Sequence, residues 1–195
     1  MPGEITHELA LRGTRAPLER FDGEIAGLGR KRGPVLVQLP ASHVFDRRVT
    51  DRFFACLREI DRGPVVLEPR HASWFTPGAD TLLARHRVAR AAADPIGCPG
   101  AGLPGGSPEL VYYRLHGSPR MYWSRYTPEY LDALVETLEG HARAARQVWC
   151  VFDNTAWGGA ILNALELHAL AISRRRSTPA ARPRQSTRRP PRSSS

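Results

Sequence analysis

The sequence predicts an α/β fold in which parallel strands alternate with helices. One observation is that apolar residues recur at helical spacings of three and four in several segments. Another is that short apolar runs, rich in β-branched residues, separate these segments without alternating with polar residues. Continuous apolar runs are typical of parallel strands that helices cover on both faces, so the two patterns together predict an α/β fold.

The first two predicted strands each follow a helix. Helical spacing extends over 18–28 and ends before two glycines, and the apolar run 35–39 then predicts a strand. The same spacing returns over 49–60, where a Gly-Pro pair breaks the helix and the β-branched run 65–68 begins. These residues therefore predict two consecutive helix–strand units.

Two further strands follow in the middle of the chain. A short helix at 80–86 leads to a weaker strand at 88–93. The Gly- and Pro-rich stretch 95–108 predicts a long loop, after which the run 110–115 predicts the fourth strand.

Thr127, Pro128 and Glu129 predict the start of the next helix. The hydroxyl caps the first turn, the proline ring fixes φ, and the acidic side chain suits the positive end of the helix dipole. Strand 148–152 and a final helix at 159–172 complete the predicted order.

Composition divides the chain into a domain, residues 1–172, and a disordered tail, residues 173–195. The tail has eight arginines, no acidic residue and no large apolar residue, so burial cannot offset its ordering entropy. Without those eight charges the net charge of +9 falls to about +1. Charge therefore does not predict a nucleic-acid surface on the domain, whereas the tail either attracts nucleic acid in a salt-dependent way or has no role.

Cysteine spacing and hydropathy narrow the class of protein. The three cysteines are widely spaced and form no C-x-x-C pair, which argues against a disulfide framework. No signal peptide opens the chain, and no apolar stretch reaches the roughly 20 residues that cross a bilayer. We expect a cytoplasmic protein without a membrane partner, and the sequence identifies neither a cofactor nor an oligomeric state.

Polar or charged residues close each apolar run of the predicted sheet. They are Gln38, Glu68, Asp94, Arg114 with His116, and Asp153 with Asn154. The carboxyl ends of parallel strands converge on one face, which is where α/β sheets and barrels hold ligands. The sequence therefore predicts that these side chains line one site.

Motifs around these strand ends resemble, in the same order, those of a known family. They are VLVQLP at 35–40, LEPRHASW at 67–74, the Asp94-Pro95 step, YRLHG at 113–117 and VFDNT at 151–155. Together with ITH at 5–7 they resemble the YecE-like family of uncharacterised bacterial proteins, also known as domain of unknown function 72. The resemblance implies a TIM-like (β/α) barrel.

The resemblance also implies that the barrel is incomplete. The amino-terminal portion of the family, with its first three strands, has no counterpart before Met1. We therefore expect a truncated domain, a partial barrel of about five βα units, in which two strand edges stay unpaired. A misplaced gene start, a partner that replaces the missing strands and a decayed gene product are the explanations left open.

Three of the strand-end residues are candidate acid–base catalysts: Glu68, Asp94 and His116. The candidate ligand-binding residues are Gln38, Arg70, His71, Trp74, Arg114, Asp153 and Asn154. Strand alternation puts Glu68 and Arg114 on inward faces, where they either bind a ligand or form a structural ion pair. His116 is likewise either a functional group or a hydrogen-bonded turn residue.

The metal content of the site stays undetermined. Donors that suit Zn²⁺ or Mn²⁺ are present at Glu68, His71, Asp94 and His116, but their spacing matches no compact metal motif. Asp153 and Asn154 precede the last helix, whose free N–H groups favour phosphate or carboxylate, unless Asn154 only caps that helix.

Aromatic residues follow the strand ends, at Trp74, Tyr122, Trp123, Tyr126 and Trp157. They either stack on sugars or bases at the mouth of the site or pack as a lid of the core. We expect a hydrolase or isomerase of a phosphorylated or sugar-containing substrate, in which Arg70 and Arg114 hold an anion. A non-catalytic nucleic-acid-binding module and a nonfunctional fragment of a full barrel are the competing hypotheses.

Overall fold

The computed structural model of the protein describes residues 1–144 and 146–177. Within them, the helices are α1 (Arg15–Ile25), α2 (Arg47–Ile60), α3 (Pro77–Arg85), α4 (Pro128–Arg143) and α5 (Gly159–Ser177). The strands are β1 (Val35–Gln38), β2 (Val65–Glu68), β3 (Val88–Arg90), β4 (Ala92–Asp94), β5 (Gly105–Gly106), β6 (Leu110–Leu115) and β7 (Gln147–Phe152). The predicted α/β class is confirmed.

Two sheets share one extended segment of the chain. The first has the strand order β1-β2-β3-β5 and the second β4-β6-β7. Ala91 separates β3 from β4, and its N–H still donates to the carbonyl of Leu67 in β2 at 2.9 Å. Every pairing except β3 with β5 is parallel, as predicted, so the carboxyl ends of the parallel strands point in one direction.

The predicted loop 95–108 contains strand structure that the sequence did not indicate. Gly105 and Gly106 pair antiparallel with β3. Arg90 holds this segment in place, because its guanidinium binds Asp80 at 2.8 and 3.1 Å and also donates to the carbonyl of Leu103 at 3.1 Å. A side chain at Gly106, whose φ is +68°, would put its Cβ 2.4 Å from the carbonyl of Val88.

Helix ends follow local capping where the sequence supplies it. Asp46 accepts hydrogen bonds from the N–H groups of Arg48 and Val49 at the start of α2. Thr127 accepts one from Tyr130 at the start of α4, as its position before Pro128 predicts.

The final helix differs in length from its prediction. Helix α5 continues to Ser177, so the predicted domain end at residue 172 falls inside it and residues 173–177 are helical. The rest of the predicted tail, residues 178–195, lies outside the described residues. Among the described helices, none combines the length and the hydropathy that crossing a bilayer requires.

The core lies around β1, β2 and β3 and against α2. Its large buried side chains include Phe53, Phe54, Leu67 and Trp74. All four residues of β2 are buried, whereas no residue of β7 is. Burial therefore decreases from the interior strand to the edge strand, and this gradient determines which strand ends face solvent.

Candidate functional site

Glu68 is the centre of a hydrogen-bonded network at the carboxyl ends of the strands. Its side chain is buried, and its Oε2 accepts a hydrogen bond from Arg114 Nη1 at 2.7 Å. Its Oε1 lies 3.2 Å from both His116 Nε2 and Arg70 Nη2. Both carboxylate oxygens are thus paired with cationic or imidazole groups, which is how proteins tolerate a buried carboxylate.

His116 lies between two carboxylates. Its Nε2 faces Glu68, and its Nδ1 is 3.0 Å from Oδ2 of Asp153. A neutral imidazole carries hydrogen on only one nitrogen, so both contacts are satisfied as donor–acceptor pairs either when both nitrogens are protonated or when one of the two carboxyl groups carries a proton. The geometry therefore lets Glu68, His116 and Asp153 share a mobile proton.

Arg114 joins three strand ends through its guanidinium. Nη1 donates to Gln38 Oε1 at 2.5 Å as well as to Glu68, and Nη2 donates to Asp153 Oδ2 at 2.9 Å. These contacts connect β1, β2, β6 and the residue after β7. The predicted convergence of Gln38, Glu68, Arg114 and His116 is found, and Asp153 belongs to the same network.

Burial and charge act in opposite directions on these groups. Burial by itself would raise the pKa of Glu68, but hydrogen bonds from His116 and Arg114 outweigh it and hold that pKa below its usual value. Burial likewise opposes the charge of Arg114, yet its pKa is raised because Glu68 and Asp153 stabilise the cation. Glu68 is therefore a carboxylate, and not a proton donor, at neutral pH.

A cavity of about 250 Å³ opens beside this network. Its walls include Glu68, Arg70 and His116, together with Pro95, Cys98 and Met121. Arg70 is paired only with Glu68 within the described residues, and its side chain is more exposed than that of Arg114. Arg70 is thus the cation of the network that a ligand in the cavity can reach.

Asp94 lies next to the network but outside its hydrogen bonds. Its backbone carbonyl accepts from the N–H of His116 at 2.8 Å. Its carboxylate instead accepts from Tyr126 Oη at 2.7 Å, and that oxygen in turn accepts from the N–H of Gly117 at 2.9 Å. Tyr126, for which the sequence left ligand stacking and packing in the core open, is buried here and fixes the end of β6.

The segment after β2 has a structural role, which for Trp74 is one of the two alternatives that the sequence left open. His71 is the cap of the turn Ala72–Trp74, because its Nδ1 accepts from the N–H of Ser73 at 3.2 Å. Trp74 has no exposed surface, and its Nε1 donates to the carbonyl of His43 at 2.8 Å. Neither residue contacts the Glu68 network, so the structure does not place them in the site as ligand-binding groups.

Asn154 is buried behind the site and holds neighbouring segments together. Its Nδ2 donates to the carbonyl of Ser124 at 2.9 Å and to Asn163 Oδ1 at 3.0 Å, and its Oδ1 is buried without a hydrogen-bond partner. Asn163 also accepts from the N–H of Tyr126 and donates to its carbonyl. Asn154 thus ties helix α5 to the segment before α4 instead of presenting its amide to a ligand.

Sequence reasoning missed several residues of the site. Cys98 and Met121 line the cavity, although neither lies at a strand end. Asn163 lies on α5 between Leu162 and Ala164, and an amide within this short apolar stretch is a signal that the sequence offers. Within residues 1–144 and 146–177, no group of three or more His, Cys, Asp and Glu side chains is arranged to hold a metal ion, so the four predicted donors do not form a ligand set.

Comparisons with known proteins agree with this fold. The family model described as "Protein of unknown function DUF72" matches residues 1–188. A DUF72 family protein from Thermotoga maritima is 25% identical with a TM-score of 0.75, over 87% of this chain and 70% of that chain. One from Enterococcus faecalis, at 18% identity and a TM-score of 0.68, shares the fold over 83% of this chain and 67% of its own. No curated protein sequence matches the chain significantly.

Proposed function

Because this chain belongs to the DUF72 family of proteins of unknown function, its chemistry has to be inferred from its own residues, and we propose that the Glu68 network is an acid–base centre. The YecE-like resemblance of its motifs is consistent with that family. The substrate is a small phosphorylated or sugar-containing molecule, and the reaction is a hydrolysis or an isomerisation. Arg70 binds the anionic group, while Glu68 and His116 move protons at the reacting atoms.

One observation carries this proposal: Oε1 of Glu68 is shared between His116 Nε2 and Arg70 Nη2 beside the cavity, at 3.2 Å from each. A phosphate or carboxylate that enters the cavity competes with Glu68 for the guanidinium of Arg70. The Glu68 oxygen next to His116 then loses one of its two donors. Binding of the anion therefore increases the basicity of the group that accepts the proton.

Glu68 and His116 have complementary roles in this reaction. Since hydrogen bonds hold the pKa of Glu68 below its usual value, it starts as the carboxylate and accepts a proton. His116 is held between Glu68 and Asp153, so its Nε2 takes that proton from Glu68 Oε1 and returns it through Glu68 to the substrate or its leaving group. Asp153 orients the ring, as a carboxylate beside a catalytic imidazole does in hydrolases.

Arg114 is a positioning residue in this proposal and not the anion-binding group that the sequence suggested. Its guanidinium already donates to Gln38, Glu68 and Asp153. Releasing it to a ligand would leave buried acceptors without donors, at a cost of about 1 to 3 kcal/mol each. Asp94 has no acid–base role here, because its carboxylate is bound to Tyr126.

The scaffold that we propose is a partial TIM-like barrel. Parallel strands follow one another in chain order, and the contact of Gln38 in β1 with Arg114 in β6 spans the strands between them. A contact of that kind supports a concave inner face, as in a barrel wall. The proposed domain ends within α5.

Binding and turnover test the proposal separately. Isothermal titration calorimetry with ribose 5-phosphate is expected to detect binding that Arg70→Gln weakens about tenfold or more, since a hydrogen bond between charged groups is lost. Phosphate-release and isomerase assays on a panel of sugar phosphates are expected to detect turnover that His116→Asn abolishes while leaving affinity within about threefold.

Arg85→Gln is the matched control, because Arg85 pairs with Asp51 at an exposed position. Its affinity for ribose 5-phosphate should equal that of the unmodified chain. Absence of binding, or equal affinity in Arg70→Gln, contradicts the anion site. Binding without any turnover that depends on His116 favours a non-catalytic binding module.

A further inference from the structure

Two exposed tryptophans lie together in the segments that follow β6 and β7. Trp123 follows β6 and Trp157 follows β7, and their ring centroids are 5.7 Å apart. The N–H of Ala156 donates to the carbonyl of Tyr122 at 3.1 Å, which holds the two segments together. Trp157 is 76% exposed and Trp123 38% exposed. Large flat apolar surfaces in solvent, close in the chain to residues that line a cavity, indicate a contact surface for a ligand.

A guanidinium extends this surface. The Cζ atom of Arg120 lies 4.2 Å above the ring of Trp123, within cation–π distance. Arg120 itself is exposed. We call the group of Arg120, Trp123 and Trp157 the tryptophan platform. It combines planar π faces with one positive charge.

One short segment of the chain connects the platform with the cavity. Met121, which lines the cavity, and Tyr122 lie between Arg120 and Trp123 in the chain. The ring of Tyr122 packs edge-on against His116 with centroids 5.7 Å apart. A ligand whose anion reaches Arg70 can therefore extend from the cavity across this segment.

We infer that the tryptophan platform is a base-stacking subsite, so that the anionic ligand of the cavity is a nucleotide. This inference rests on the proposed function, because it extends the same cavity. Indole and guanidinium planes both stack favourably on another π face, and every nucleobase has one. A sugar phosphate without a base fills the cavity but leaves the platform bare.

The geometry of the platform defines how the base stacks. The two indoles are tilted by 58°, so they do not form a parallel slot into which a ring could insert. One face of Trp123 is covered by Arg120. The base therefore stacks on Trp157, the more exposed ring, and Trp123 with Arg120 supports its edge.

Calorimetric titration of the full chain with adenosine 5′-monophosphate and with ribose 5-phosphate tests this inference. The nucleotide is expected to bind about tenfold more tightly than the sugar phosphate, in line with one stacked base. Trp157→Ala should remove that difference while leaving ribose 5-phosphate affinity unchanged. Leu165→Ala, a similarly exposed truncation on α5, is the control that should change neither affinity.

The outcomes distinguish this inference from the proposed function. Equal affinity for the two ligands, or an equal loss for both in Trp157→Ala, overturns the base subsite and leaves the anion site in place. Nucleotide binding that depends on Trp157 but not on Arg70 overturns the anion site and supports the platform. If neither ligand binds, both the base subsite and the anion site are overturned.

Discussion

The carboxyl ends of β2 and β7, with the segments that follow them, supply similar groups to the same site, but they differ in burial. At the end of β2 the side chain of Glu68 is 2% exposed, and in the segment that follows Trp74 is fully buried. After β7, the side chain of Asp153 is 29% exposed and Trp157 is 76% exposed. A carboxylate and a tryptophan are thus buried in one segment and accessible in the other.

Strand neighbours explain this difference. Strand β2 pairs with β1 on one side and β3 on the other, whereas β7 pairs only with β6 among the described strands. Residues after an interior strand are covered on both sides, and residues after an edge strand are not. The candidate site therefore has a buried half after β2, in which Arg70 is the residue that a ligand in the cavity can reach, and an accessible half after β7.

The largest expected difference is between the two tryptophans. Trp74→Ala should lower the free energy of unfolding by about 3 to 5 kcal/mol, because it leaves a cavity in the core and removes the hydrogen bond to His43. Trp157→Ala should change it by about 0.5 kcal/mol or less, as expected for an exposed side chain. Urea denaturation measures the free energy of unfolding of both variants. Similar losses in the two would contradict the division into a buried and an accessible half.

The sequence predicted the strands and their converging ends because this information is local. Apolar runs define β2 and β7, and parallel pairing alone brings Glu68 and Asp153 to one face. It did not separate Trp74 from Trp157, since both follow a strand end in a loop. The difference depends on a distant contact, because Trp74 packs on Phe45 and bonds to His43, in a loop about 30 residues earlier.

The missed strand β5 has a similar cause. Glycine- and proline-rich residues predict a loop over 95–108, and nothing local to Gly105 or Gly106 favours a strand. The ion pair of Arg90 with Asp80 and the hydrogen bond from Gly106 to Asp80 hold that segment against β3. Contacts of this kind, between residues far apart in the chain, cannot be deduced from periodicity.

An intermediate effect is expected for the two carboxylates. Glu68→Gln should lower the free energy of unfolding by about 1 to 3 kcal/mol, because Arg114 and His116 lose a buried charged acceptor. Asp153→Asn should cost less, about 1 kcal/mol, since solvent reaches its carboxylate. Chemical denaturation at pH 7 measures the free energy of unfolding of both variants. A larger loss for Asp153→Asn than for Glu68→Gln would mean that the end of β7, and not that of β2, is the more buried.

The pH dependence of stability sharpens the test at Glu68. Its pKa is lowered in the folded protein, so its contribution is fully present above the unfolded value of about 4.3 and is lost as pH falls through the folded pKa. The stability difference between the unmodified chain and Glu68→Gln should therefore shrink below about pH 4. A difference that stays constant from pH 7 to pH 3 would mean that the charge of Glu68 does not stabilise the fold.

An effect smaller than that at Glu68 is expected at Asn154, which joins the accessible half of the site to the rest of the molecule. Asn154→Ala removes hydrogen bonds to Ser124 and Asn163 but also removes Oδ1, a buried atom that already lacks a partner. The loss of the hydrogen bonds and the removal of the unpaired oxygen partly cancel, so the free energy of unfolding should fall by only about 1 kcal/mol. Thr155→Ala, at the next and exposed position, is the control expected to have no effect. A loss at Asn154 as large as that at Trp74 would mean that the segment after β7 is as rigid as the segment after β2, and the site would then have no accessible half.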